Sequence, residues 1–261
     1  MKKIISISAS VLLMVTVSFA DISEKQVDAY LEASGAKVML DNLQQQIGDM
    51  VDQQAQQTGE KVDPMALVAV KDVMTRDENF AKFTAHIKTL DENDYKNIMA
   101  YYATKLGKKS AKIAENSDIE TMEKELPAFM TKLQENPPSE KRMNLIKDIV
   151  DAMDMNELQK NMLREMLVSV NKFVPAKQQM PSDDIDKMVE SFTPLLEQQA
   201  QILTLFSYRD FSDKELKEVL NYTKTKSGKA EADVIFAGLV DYMKAVMSQM
   251  FQELLDQEKA K

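Results

Sequence analysis

The chain of 261 residues has no cysteine, no tryptophan, one histidine, six glycines and seven prolines. Without thiols it has no disulfides, iron–sulfur clusters, cysteine zinc sites or thiol nucleophiles, so stability must come from apolar burial. A single histidine, His86 in FTAHIKTL, leaves zinc and di-iron sites without their usual ligands, and no serine stands in a nucleophile-elbow sequence. His86 is expected to be packed or solvent-facing rather than catalytic. Basic residues are also short, 33 against 42 acidic for a formal charge of −9, which disfavours nucleic acid and anionic membrane surfaces as partners. What remains is rich in Ala, Leu, Met, Glu, Lys and Gln, the alphabet of helices.

Lys2 and Lys3 precede an apolar run from Ile4 to Phe19 that ends at Ala20, with Ser18 and Ala20 at the small-residue positions read by a signal peptidase. Residues 1–20 are therefore expected to be a cleaved signal peptide, leaving Asp21 as the mature start. The run is short and serine-rich for a membrane span, and no cysteine follows it to carry a lipid. The expectation is a periplasmic or secreted protein with no stable membrane span after cleavage.

The remainder aligns with itself. Residues 90–109, LDENDYKNIMAYYATKLGKK, superimpose without a gap on residues 211–230, FSDKELKEVLNYTKTKSGKA, at a shift of 121, with identities that include Tyr101/Tyr222, Thr104/Thr225 and Gly107/Gly228. Ser212 with Glu215 forms a capping box, Asp91 with Asp94 a weaker one, and Phe211/Leu216 and Leu90/Tyr95 occupy hydrophobic-staple positions. Each helix is expected to end at its lysine-flanked glycine. A fainter match lays Tyr30 to Val51 on Ile149 to Val170 at a shift of 119, and Asn136-Pro137-Pro138-Ser139 makes a seam that no helix can cross. The expected fold is all-α: two pseudo-repeated helical bundle units, 21–136 and 137–261, after the signal peptide.

The capped segments FSDKELKEVLNYTKTKSGK and LDENDYKNIMAYYATKLGKK, with a short helix and a long helix opening each unit, resemble the family called domain of unknown function 2059, found in exported bacterial proteins. The family's common Ser-Pro pair before the glycine is replaced here by Lys226-Ser227 and Lys105-Leu106. The resemblance implies a helical fold and an exported compartment, and no reaction.

Other patterns have plain explanations. Lys105 to Ser110 lacks the first glycine of a phosphate loop, since position 102 is Tyr102, and its lysines suit a helix end. Asp148, Asp151 and Asp154, and Asp183, Asp184 and Asp186, lack the order of a calcium loop and are expected on solvated helix faces. Of the 19 methionines, Met243, Met247 and Met250 share one helix face; a buried core stripe is expected there, with an adaptable partner groove and a Cu(I) site as alternatives. No catalytic, cofactor-binding or metal residue is assigned, and no cofactor is expected. The leading function is non-enzymatic, through contact with another envelope protein or a peptide. A hydrolase-like enzyme using carboxylates and a methionine-based copper binder are the alternatives.

Overall fold

The computed structural model describes residues 22–43, 45, 72–114, 119–172, 174 and 177–259; the leader expected over 1–20 and much of the long helix expected after residue 36 lie outside them. The fold is all-α. Among the described residues the helices run in the order α1 (Glu24–Ser34), α2 (Asp77–Ile87), α3 (Glu92–Ala103), α4 (Lys105–Ala111), α5 (Ile119–Glu135), α6 (Glu140–Ala152), α7 (Met155–Asn171), α8 (Ser182–Ser207), α9 (Asp213–Thr223) and α10 (Lys226–Lys259), with a further helical stretch over 36–43.

The capping chemistry read in the sequence sets the helix starts. Ser212 Oγ accepts the Glu215 N–H at 3.3 Å while Glu215 Oε2 accepts the Ser212 N–H at 2.8 Å, the full capping box. Asp91 Oδ1 accepts from the Asp94 N–H at 2.7 Å, and Ser139, past the proline seam, caps α6 by accepting from the Arg142 N–H at 3.2 Å.

The glycines play a different part from the one expected. Neither Gly107 nor Gly228 closes a helix: α3 stops at Ala103 and α9 at Thr223, and each glycine sits in the first turn of the helix that follows. The cause is the threonine before it. Thr104 Oγ1 accepts from the Gly107 N–H at 2.9 Å and Thr225 Oγ1 from the Gly228 N–H at 3.0 Å, so each threonine starts a new helix at a sharp bend. A Cβ on Gly107 would lie 2.1 Å from the Tyr101 carbonyl oxygen, and one on Gly228 2.2 Å from that of Tyr222. Only glycine lets the chain double back this closely.

The fainter alignment also has a local counterpart. Gly35, at φ +78°, ends α1, and Asp154, at φ +49°, joins α6 to α7. Among the described residues these are the only two with positive φ, and they stand at matching positions of the shift of 119.

Two apolar cores result: among the described residues the first draws buried residues from both halves of the sequence, and the second draws them from the second half alone. The first gathers Val27, Tyr30 and Leu31 of α1, Phe83 and Ile87 of α2, and Tyr95 and Ile98 of α3, and is completed by Val234, Leu239, Tyr242 and Val246 of α10. The second gathers Ile146 and Ile149 of α6, Leu205 of α8 and Leu216, Val219 and Leu220 of α9, and is flanked by Leu106 and Ile113 around α4 and Phe129 and Leu133 of α5. The first core is thus closed by α10 of the second half, while segments of the first half cover only the edge of the second core. Over Lys226–Glu253, α10 is long and apolar enough to cross a membrane by length and composition; in the fold it is the central helix, packed on α2, α3, α7 and α9.

Candidate functional site

Where the two bends meet, the chain builds its clearest site. The Thr-capped bends bring Tyr101 and Tyr222 face to face, with ring centroids 3.6 Å apart and planes 4° from parallel. Around this stack the ion pairs are reciprocal: Lys226, at the start of α10, holds Asp91 and Asp94 at the start of α3 (2.9 and 2.8 Å), while Lys109 of α4 holds Glu215 at the start of α9 (2.9 Å). The first cluster holds the Lys226 ammonium above, and the Asp91 carboxyl below, their ordinary ranges, through the hydrogen bonds between them. Glu215 is lowered to about 2, chiefly by its hydrogen bond to Lys109 and then by the Ser212 cap.

Beneath the stack lies Glu231, one turn into α10 from Gly228 and only 8% exposed. Three phenols converge on it: Tyr30 and Tyr102 donate to Oε1 at 2.9 and 2.8 Å, and Tyr222 donates to Oε2 at 2.6 Å. Burial pushes this carboxyl above the usual range, and the three donated hydrogen bonds oppose that shift. The same burial, followed by the neighbouring Glu231 charge, pushes the Tyr30, Tyr102 and Tyr222 phenols well up, so they stay protonated donors. The position aligned with Glu231 at the shift of 121 is Ser110, and its hydroxyl shares a 3.0 Å hydrogen bond with Tyr101.

Over these groups is a half-open cavity of about 170 Å³, walled by Tyr30, Tyr101, Tyr102, Tyr208 and Tyr222 and lined further by Met39, Met153, Ile235 and Phe236. Among the described residues Glu231 is its one ionisable group outside the tyrosines. The sequence reading missed this residue because one glutamate in an apolar helix looks like a solvated position. The available signal was Tyr101/Tyr222, since paired tyrosines that recur nine residues before Ser110 and Glu231 mark a shared polar contact.

The residues singled out from the sequence fall elsewhere. His86 Nε2 lies 2.8 Å from Asp241 Oδ2, beside a shallow cavity that Asp154, Glu157 and Glu165 also line. Glu157 is tied to Lys160 at 3.0 Å and Glu165 to Lys244 at 3.5 Å, and among the described residues no hydroxyl or amine nucleophile lines that cavity. Asp148, Asp151 and Asp154 are exposed, as are Asp183, Asp184 and Asp186, with Asp151 paired to Lys147 and Asp186 to Arg164. Among the lysines of 105–112, Lys109 is spent internally on Glu215, on the Asp210 carbonyl and over the Phe211 ring.

The methionine stripe needs correction. Tyr242 and Val246 are the fully buried residues of α10, whereas Met243, Met247 and Met250 are half-buried. Met243 and Met250 pack against the edge of the first core, as expected in part, while Met243 and Met247 also join Met162, Leu163, Met166 and Val240 in an apolar groove of about 230 Å³ between α7 and α10. The three residues share one helix face, but that face looks across the rim of the core, which the heptad-like spacing alone could not reveal.

No family model matches the chain, and neither the curated proteins nor the solved structures contain a match to it.

Proposed function

We propose that the protein is an exported envelope protein, two copies of one helical unit of the kind found in domain of unknown function 2059, that works without catalysis by holding an apolar helical segment of another protein. The observation that carries this is the methionine groove between α7 and α10. Its walls are four thioethers with Leu163 and Val240, and the Glu165–Lys244 pair stands at its edge. Two helices side by side present a trough that a third helix can fill, and flexible thioethers let the trough adapt to its side chains. Met166 and Val170 carry the apolar surface onward along α7, exposed by 43% and 39%. Support for two copies comes from the matched bends at Thr104 and Thr225 and the matched positive-φ positions Gly35 and Asp154.

Site-specific photo-cross-linking in cells tests the groove. A photoreactive residue at Met166 is expected to give one discrete protein adduct that Met247→Glu removes, while the same probe at the exposed Lys214, away from the groove, gives none. Equal labelling from both positions, or an adduct indifferent to Met247→Glu in a protein of unchanged helix content, overturns the proposal.

A further inference from the structure

The tyrosine-walled cavity is separate from the methionine groove and has its own chemistry. We propose that it is a binding site for a small organic ammonium compound, whose cationic nitrogen pairs with Glu231. Four observations converge on that class of ligand.

The first is charge. Glu231 is buried, its three hydrogen-bond donors are neutral phenols, and among the described residues no lysine, arginine or histidine lines the cavity. A buried carboxylate without a counter-ion is costly, and a cation entering the cavity offsets that cost. The second is hydrogen-bonding capacity. A carboxylate offers about four acceptor positions, of which the phenols take two on Oε1 and one on Oε2, so Oε2 retains capacity for an N–H donor. The third is the wall. Tyrosine rings attract cations through their faces, and an ammonium seated among several of them gains most when water is excluded. The fourth is size. A cavity of about 170 Å³ compares with the roughly 150 Å³ apolar cavity that accepts benzene, so it admits one ring or a short branched chain bearing its nitrogen.

The same inventory disfavours an inorganic ion. Calcium needs about six to eight oxygen ligands, and here a single carboxylate is already engaged by three donors whose hydrogens point at it. Ser110 supplies the second, neutral half of the cavity floor. One negative charge in an apolar chamber selects a monocation.

Isothermal titration of the purified protein at pH 7 with benzylamine, protonated at that pH, and with benzyl alcohol, its uncharged counterpart of equal heavy-atom count, tests the proposal. Benzylamine is expected to bind about tenfold or more tightly than the alcohol. Glu231→Gln is expected to remove that preference, and Ala232→Leu, which fills the cavity while leaving the carboxylate, to abolish binding of both probes. Circular dichroism accompanies each variant; should Glu231→Gln not fold, the wild-type comparison and Ala232→Leu still decide. Equal affinity for the two probes overturns the assignment, as does no saturable heat from benzylamine up to about 10 mM, a preference that survives Glu231→Gln, or binding that survives Ala232→Leu.

Discussion

Tyr101 and Tyr222 lie flat against each other, 3.6 Å between ring centroids, and each is the residue whose carbonyl the following glycine must clear. The stack therefore depends on two glycines whose own close neighbours are backbone atoms of the same bend. A glycine inside an exposed helix normally gains about 0.5–1 kcal/mol on replacement by alanine. Here the sign reverses. Gly107→Ala and Gly228→Ala are each expected to cost about 1–3 kcal/mol, as overpacking does, measured by urea unfolding. A neutral or stabilised alanine variant at either position would show that the bends relax freely.

The two positive-φ residues provide a second pair of opposite outcomes. Asp154 holds φ +49° with a side chain, so Asp154→Gly should stabilise by about 0.5–1 kcal/mol. Gly35 holds φ +78° with the Ala111 carbonyl oxygen 2.5 Å from where a Cβ would stand, so Gly35→Ala should destabilise by about 2–4 kcal/mol. Thermal melts of the two variants read both.

Acid should act through Glu215. Its pKa is lowered from 4.5 to about 2, first by Lys109 and then by Ser212, so the folded state holds its proton less tightly than the unfolded chain does. The stability it contributes is complete above about pH 4.5 and is lost as pH falls toward 2. Lys109→Met should flatten unfolding free energy across that window. Ser212→Ala, which removes the cap, should cost about 1 kcal/mol at neutral pH.

Glu231 has the opposite sign. Its folded pKa is raised, chiefly by burial, so its contribution favours the fold below the unfolded value of 4.5 and is lost as pH rises through the folded value. Unfolding followed from pH 4 upward should show a component of declining stability that Glu231→Gln lacks. A Glu231→Gln variant with the wild-type pH profile would mean that the carboxyl titrates as it does in the unfolded chain.

Local chemistry was the legible part of the sequence. Ser212 and Glu215 announce a helix start because both partners of the box lie within four residues, and Pro137-Pro138 announces a break because proline itself forbids continuation. The glycines were misread because Thr-Lys-x-Gly can end one helix or begin the next, and the choice depends on a carbonyl in the preceding turn. The cage was illegible for a different reason. Tyr30 and Glu231 are 201 positions apart, and only the packing of α1 against α3 and α4, with α10 laid beside α3, brings them together. The methionines were legible as a face, and which neighbour that face would meet was a matter of helix placement.

The dependence of the first core on α10 also imposes an order in time. A chain emerging from the ribosome N-terminus first presents α1, α2 and α3 early, yet Tyr30, Phe83 and Ile98 are covered by side chains of α10, far later in the chain. The first core therefore waits open until α10 has been made, its apolar surface available to holdase chaperones and to other copies of the same chain. Closure is a late, long-range event of high contact order, and slow for that reason. The second core has no such wait, because its buried side chains, from Ile146 to Leu220, all precede α10 in the chain.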